Sequence, residues 1–495
     1  MLLKKRWQEN RENWYVIFVI LAGTGLRFWG LGRLSLWCDE AEAVFLGSLS
    51  VKEMLEFIIR QDAHPPLFYL LVNAMLKAGN TDVWLRLLPA VAGSLCLPAV
   101  WFFARECAGK KEAFWLTLFV AFSPVHILWS QVVKSYTLFT LVGVVTSLAF
   151  LYSLKENSRH FKLPLGVGDI LLVYLHNYAF LFLTGQFLTL LFLKKLDRKW
   201  LVFFTFIGIF WLPWLVFLPN QIAYTWGIVR RIPQLWRWPY FFFYTIFGET
   251  TSPFQLKVVI PVAVVVTVTW VLGFWRMRLL PDYFRVFLLT FLFVPLAVIP
   301  FRSTVPQNLV PFTIFWYLLL AMGIQIEKIK VPLVLGILGS MLVSVCFYYQ
   351  GAVEQFHDVS RLAPFRKVGE FLTERSAVDD IIITNEERKW VGNKPFSIFD
   401  RYYQGKAVVL AVRPENAPLE GFKKALSGYR RVWLLQIHAG EEEWNKSLVE
   451  YLKQNFDLQE KWEYLRNERW LERILTGEKK YYFYLTLYFF TRREK

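Results

Sequence analysis

The chain of 495 residues is 55% hydrophobic and 18% aromatic, and only 19% of it is charged, where a soluble protein carries about a quarter. Apolar runs too long for core helices make it an integral membrane protein and exclude disordered, collagenous and disulfide-scaffold classes. The net charge of +17 is no nucleic-acid signature: residues 1–350 hold 31 basic and 17 acidic side chains and residues 351–495 hold 25 and 22, so the excess lies between hydrophobic segments, where lipid insertion explains it.

The first apolar segment, Trp14 to Leu31, follows Lys4, Lys5 and Arg6 without a small-residue cleavage site, which predicts a retained signal anchor with a cytoplasmic N-terminus. Further spans are expected at 84–104, 113–129, 136–154, 163–178, 179–194, 200–219, 256–275, 283–301, 308–326 and 331–349, about 11 in all. The segment Pro65–Ala78 is too short to cross a bilayer core of about 30 Å. With it placed at the interface, all the short basic connections fall on one side. They carry about 19 Lys and Arg in about 50 residues, against about 10 in about 108 residues of the opposite loops, as the positive-inside rule requires.

This reading gives a transmembrane domain, 1–350, with outside loops 32–83 and 220–255, and an extracytoplasmic domain, 351–495. The tail alternates a helical pattern at Ala363–Glu374 with strand-like runs at Ile381–Thr384, Ala407–Val412, Val432–Ile437 and Tyr481–Phe490, and reads as α/β. The cysteines Cys38, Cys96, Cys107 and Cys346 have no paired spacing.

Acids are scarce in the membrane half, and six of its 17, Asp39, Glu40, Glu42, Glu53, Glu56 and Asp62, sit within residues 39–62 of the first outside loop. Asp39, just beyond the first span, suits a general base at a low-dielectric boundary, or equally an N-cap of a helix at Glu40–Ser48 with Glu42 completing a capping box. In Asp62-Ala63-His64-Pro65-Pro66, the prolines start a helix, and His64 with free amides there could meet an anion such as a phosphate. Lys134 either neutralises a phosphate or snorkels. His176 and Tyr178 mark the tip of a short hairpin, and Arg302, Gln307 and Asn308 stand near a span end. Arg230, Arg231 and Arg237 lie among the aromatics of the second large loop.

In order, Trp37-Cys38-Asp39-Glu40, His64-Pro65-Pro66-Leu67, the run Leu85 to Gly93, Ser123-Pro124-Val125-His126 and Ser130-Gln131 resemble the GT-C glycosyltransferases. The nearest branch is the protein O-mannosyltransferase and aminoarabinose-transferase-like enzymes, and the resemblance is clearest over residues 14–200. It implies an α-helical polytopic enzyme of the cell membrane that moves a hexosyl or pentosyl group from a polyprenyl-phosphate donor to an acceptor hydroxyl on the outer face, usually with inversion. By the same resemblance Asp39 is the general base, Glu40 shapes the donor or acceptor site, and His64 lies near the donor phosphate. His176 and Tyr178 match a His-x-Tyr hairpin of unassigned role. The chain departs from relatives that read Ser-Gln-Glu-Ala-Arg-x-Tyr: Val132 replaces the acid and Lys134 the arginine, between Gln131 and Tyr136. Gln307 and Asn308 stand where relatives carry Arg-Tyr, which leaves Arg302 as a substitute charge.

A lipid-phosphate leaving group needs mainly a base for the nucleophile and fixed positive charge for the phosphate. Asp39 with His64, Lys134 and Arg302 supplies both. Asp62, Gln131, Tyr136, His176 and Tyr178 are acceptor or loop candidates. No cofactor is required; Asp39, Glu40, Asp62 and His64 could bind a divalent ion, but their spacing matches no standard metal site. Partners are the lipid donor, the bilayer and an acceptor protein, glycolipid or polysaccharide, with no nucleic acid. The competing readings are a transporter or flippase, which calls for mirrored halves and midplane charge where Asp169 is the one clear acid, and an anchor for the outer domain.

Overall fold

The structure, a computed structural model, describes residues 2–62, 64–156, 159–227, 234–251, 253, 255–300, 304–326, 329–350, 364–385, 389–391, 394–411, 425–426, 428–437, 443–465 and 483–493. Arg302, Arg230 and Arg231 lie outside these residues. The chain divides into two compact units, Met1–Leu31 with Gly47–Glu354, and Gly32–Leu46 with Gln355–Lys495.

The helices are α1 (Leu2–Phe28), α2 (Cys38–Ser48), α3 (Val51–Gln61), α4 (Leu67–Leu76), α5 (Asp82–Cys107), α6 (Lys110–Phe122), α7 (Pro124–Ser130), α8 (Tyr136–Glu156) and α9 (Arg159–Leu175). They continue as α10 (Phe180–Phe192), α11 (Arg198–Leu215), α12 (Leu218–Gly227), α13 (Gln234–Phe247), α14 (Leu256–Met277), α15 (Asp282–Phe293), α16 (Thr313–Gly323) and α17 (Lys330–Tyr349). Each segment read as a span falls on helical structure. Among the described residues, five helices are long and apolar enough to cross a membrane, namely α5, α8, α11, α14 and α17, and α6 with α7, bent by 57°, makes a sixth. Two of the other expected spans, 283–301 and 308–326, are shorter because prolines, which lack an N–H, break them into 3₁₀ turns at Pro295–Val298 and Pro306–Phe312 beside α15 and α16. The protein is a polytopic helical membrane protein. The ten residues of α4 span about 15 Å, half a bilayer core, in keeping with the reading of Pro65–Ala78 as too short to cross.

Every residue of α16 is buried. Its neighbour α14 approaches without side chains between: a Cβ on Gly323 would lie 2.0 Å from the Thr269 carbonyl oxygen, and one on Gly273 2.3 Å from that of Leu319. Where lipid offers no hydrophobic drive to associate helices, such close backbone packing holds them. Polar groups are paired across elements. Gln186 on α10 donates to Asp169 on α9 (2.9 Å), so the acid inside a span is bonded to the neighbouring helix.

The bend between α6 and α7 is built from Ser123-Pro124. Pro124 starts α7, and the Ser123 hydroxyl caps it by accepting the His126 N–H (3.3 Å). His126 Nε2 meets the Thr313 hydroxyl (2.9 Å) and the Ser123 hydroxyl meets that of Tyr317 (2.9 Å), so the Ser-Pro-x-His motif rivets the bend to α16. Two further side chains satisfy helix-end carbonyls there. Arg27 donates to Val120 and Ala121 at the end of α6 (3.0 and 3.3 Å). Gln131 donates to Leu26, Arg27 and Trp29 at the end of α1 (3.0, 3.1 and 2.7 Å).

The second unit is α/β. Its strands are β1 (Ile381–Thr384), β2 (Lys389–Val391), β3 (Lys394–Phe396), β4 (Val408–Ala411), β5 (Arg431–Ile437), β6 (Phe456–Leu465) and β7 (Phe483–Arg492), with helices α18 (Phe365–Arg375), α19 (Ile398–Tyr402) and α20 (Glu443–Asn455). The five-stranded sheet has the order β4-β1-β5-β7-β6, parallel from β4 to β5 and antiparallel beyond, and β2 and β3 form a separate hairpin. The strand β6 escapes the sequence reading because charged residues such as Lys461 and Glu463 interrupt its apolar pattern on an exposed edge.

The segment Gly32–Leu46, which the sequence assigns to the transmembrane domain, packs within this second unit. Arg366 donates to the Gly32 carbonyl (2.9 Å), the Leu36 N–H to the Tyr402 hydroxyl (2.7 Å), and Phe45 stacks on Phe396 at 4.8 Å.

The α14–α16 contact yields the first prediction. Gly323→Ala and Gly273→Ala each force a Cβ against backbone and should cost about 1–3 kcal/mol of stability. Gly25→Ala and Gly339→Ala, which meet nothing within 4 Å, should leave thermal unfolding in detergent unchanged; equal melting of all four variants would contradict the close packing.

Candidate active site

The first unit gathers its chemistry where the α3–α4 connection meets the α9–α10 turn. The α3 helix starts with a capping box, Ser50 with Glu53, and ends at Asp62 in extended backbone. Pro65 and Pro66 then open α4. The Asp62 carboxylate is buried and doubly bound: Oδ1 takes His64 Nδ1 at 3.0 Å, and Oδ2 accepts from the Tyr69 hydroxyl on α4. Gln221 on α12 clamps this connection, donating to the Ile58 and His64 carbonyls (3.2 Å each) while accepting from Asn177 in the α9–α10 turn (2.8 Å).

His176 follows α9 and stands 5.3 Å from His64, ring to ring and edge-on. Phe139 stacks on it at 5.0 Å, and Tyr136 and Tyr178 each lie 5.6 Å away. Tyr178 bonds to the Thr304 hydroxyl (2.7 Å). Lys134, in the turn between α7 and α8, is buried, and its charge reaches Asp62. Burial pushes the Asp62 carboxyl up, but the hydrogen bond to His64, the fields of His64 and Lys134 and the Tyr69 hydroxyl outweigh it, holding the group at about 2 against an ordinary 3.8. An ionised carboxylate thus orients a histidine beside a buried ammonium, a setting in which an added anion meets positive charge in a low dielectric.

Of the residues read from the sequence, Asp62, His64, Lys134, Tyr136, His176 and Tyr178 come together in this unit. Gln131 does not join them: its amide nitrogen is committed to α1, and its oxygen accepts from Tyr348 (2.7 Å), which makes it a cap. Arg302 lies outside the described residues. Tyr69 and Gln221 escaped the sequence reading, Tyr69 inside an apolar run and Gln221 as a single amide on a short helix. Neither position carries a pattern that marks it.

Asp39 and Glu40 belong to the other unit, in the first turn of α2. The helix begins at Cys38, one residue before the expected cap, and this changes the assignment. Glu40 is buried and turns back to accept the Trp37 N–H (3.3 Å), doing the capping that was one of the two readings of Asp39 with Glu42. Asp39 is left half-buried, with the Cys38 thiol against its carboxylate (3.7 Å). Acids in a first helical turn are favoured by the helix dipole. Among the described residues no group of three or more His, Cys, Asp or Glu side chains gathers as a metal site.

The sequence matches no family model, and no curated protein is significantly similar to it. Solved structures are similar in fold. ArnT from Cupriavidus metallidurans bound to undecaprenyl phosphate aligns with a TM-score of 0.56 at 12% identity, over 96% of this chain and 98% of that one. An Archaeoglobus fulgidus oligosaccharyltransferase in the apo form aligns at 0.51 and 11%, over 85% and 69%. The same archaeal enzyme, AglB, with an inhibitory peptide and a dolichol-phosphate, aligns at 0.51 and 11%, over 88% and 70%. Both proteins are GT-C glycosyltransferases. The fold is the GT-C fold. The GT-C resemblance first seen in a few motifs thus extends over nearly the whole chain as architecture, at an identity too low to carry residue roles.

Asp62 gives a pH-dependent prediction. A carboxyl held below its ordinary value stabilises the fold fully above about pH 4 and loses that contribution as pH falls through about 2. Asp62→Asn should cost about 1–3 kcal/mol at neutral pH. In detergent melting curves its deficit against wild type should hold down to about pH 4 and shrink below; a deficit that grows on acidification contradicts the ionised pair.

Proposed function

We propose that this protein is a membrane glycosyltransferase that moves a sugar from a polyprenyl-phosphate donor to an acceptor hydroxyl on the outer face of the membrane. What carries the reading is the buried Lys134 beside the Asp62–His64 pair in a GT-C fold. Support comes from the undecaprenyl phosphate bound to ArnT and the dolichol-phosphate bound to AglB.

In the proposed step the acceptor oxygen attacks the anomeric carbon as the carbon–oxygen bond to phosphate breaks, with inversion. Asp39 takes the acceptor proton, and the lipid leaves as its monophosphate. The half-buried position of Asp39, with Glu40 spent on the helix start, suits it to be the base. Positive charge must be fixed where the leaving phosphate forms. Lys134, His64 and Arg302 are assigned that task, and Tyr136 and Tyr178 the shaping of the pocket around them. Tyr69 and Asp62 hold the His64 ring with Nδ1 engaged, leaving Nε2 to face the ligand.

The test is reconstitution with radiolabelled polyprenyl-phosphate sugars. Asp39→Asn should lower kcat about 10²–10⁴-fold while donor binding persists, and equal turnover by the variant would remove Asp39 as base. A reporter fused after Lys495 should report the outer side of the membrane; a cytoplasmic signal would rule out the proposed sidedness.

A further inference from the structure

The two histidines of the cluster are held in different ways. His64 engages Asp62 through Nδ1, while His176 Nδ1 accepts the backbone N–H of Tyr178 at 3.1 Å. A ring nitrogen that accepts a hydrogen bond carries no proton, so the single proton of a neutral His176 sits on Nε2. That atom is buried, and it has no hydrogen-bond partner among the described residues. The ring cannot easily turn to relieve it. Phe139 is stacked on one face at 5.0 Å and 17°, the His64 ring stands edge-on at 5.3 Å, and reversing the ring would sacrifice the bond from Tyr178.

A buried donor without an acceptor is costly to maintain, and a ligand oxygen would relieve it. The neighbouring charges define the chemistry of that oxygen. Lys134 is buried nearby, and Asp62, the carboxylate of the cluster, already has Tyr69 and His64 on its two oxygens. We propose that His176 is a neutral hydrogen-bond donor, through Nε2–H, to a phosphate oxygen bound at this cluster. A neutral ring adds a directed bond where a further cation beside Lys134 would be repelled. It also preserves the stack on Phe139. The inference deepens the transferase reading and rests on it only for the kind of molecule that brings the phosphate.

The experiment measures binding to the full chain in nanodiscs, with undecaprenyl phosphate in one arm and inorganic phosphate in the other, so a lipid-borne group is distinguished from free phosphate. His176→Phe keeps the ring and its stacking but removes the donor, and should weaken both probes by about five- to fiftyfold. His176→Gln, whose amide nitrogen reaches near the Nε2 position, should recover most of the loss. The wild-type to Phe ratio should stay constant between pH 6 and 8, because no proton is gained or lost at the donor. Weakening of the lipid arm alone would mean that His176 touches some part of the ligand other than phosphate and would overturn the assignment, as would unchanged binding in both arms or failure of Gln to rescue.

A second readout needs no bound probe. In ¹⁵N-histidine spectra of wild type at pH 7, the resonances absent from His176→Gln should be those of a neutral ring protonated at Nε2; a ring protonated at Nδ1 overturns the proposal. If wild type binds both probes as expected but transfers no sugar, the transferase reading fails and the role of His176 stands.

Discussion

Helices that end inside an apolar bundle leave carbonyl oxygens that lipid cannot satisfy, and the first unit is organised around meeting that demand. Arg27 and Gln131 meet it reciprocally. The guanidinium from α1 covers the end of α6, and the amide just beyond α7 covers the end of α1. The end of α6 is thereby closed by a side chain of α1, and the end of α1 by one that follows α7, so α1 is tied to both arms of the bend. The bend at Ser123-Pro124 is fixed between them, and the turn that carries Lys134 begins where Gln131 is anchored. A buried lysine needs such a rigid seat, because its charge is tolerable only at one distance from the carboxylate that offsets it.

Around this seat the polar groups form a chain of custody for one negative charge. Asp62 is kept ionised by His64, Lys134 and Tyr69, and the backbone on which it sits is clamped by Gln221 from α12 and, through Gln221, by Asn177 beside His176. Four separated stretches of chain therefore set the position of one imidazole. Such over-determination is what a site for a charged ligand needs if it is to be arranged before the ligand arrives.

Much of this was legible in the sequence. Hydropathy placed the helices, and the scarcity of acids singled out the first loop, because a carboxylate near a membrane is expensive and so stands out. The core strands of the second unit were visible as short β-branched runs. What could not be read was anything decided by partners distant in the chain. Gln131 sits in a motif and turned out to be a cap; Glu40 displaced Asp39 and Glu42 from the helix start because α2 begins at Cys38. Tyr69 and Gln221 bear on His64 only through geometry, and a tyrosine in an apolar run or an amide on a short helix has no signature of its own.

The membership of Gly32–Leu46 in the second unit has a consequence for how this chain can be divided. The polypeptide passes between units near residues 31, 46 and 354, so the Asp39 segment is inserted in the membrane half by connectivity and completed by the tail through Arg366, Tyr402 and Phe396. The C-terminal 140 or so residues are then not a detachable appendage, because the Asp39 segment packs on them. Until these residues fold, Gly32–Leu46 lacks the partners that Arg366, Tyr402 and Phe396 supply, so the placing of the proposed base Asp39 waits on the folding of the tail.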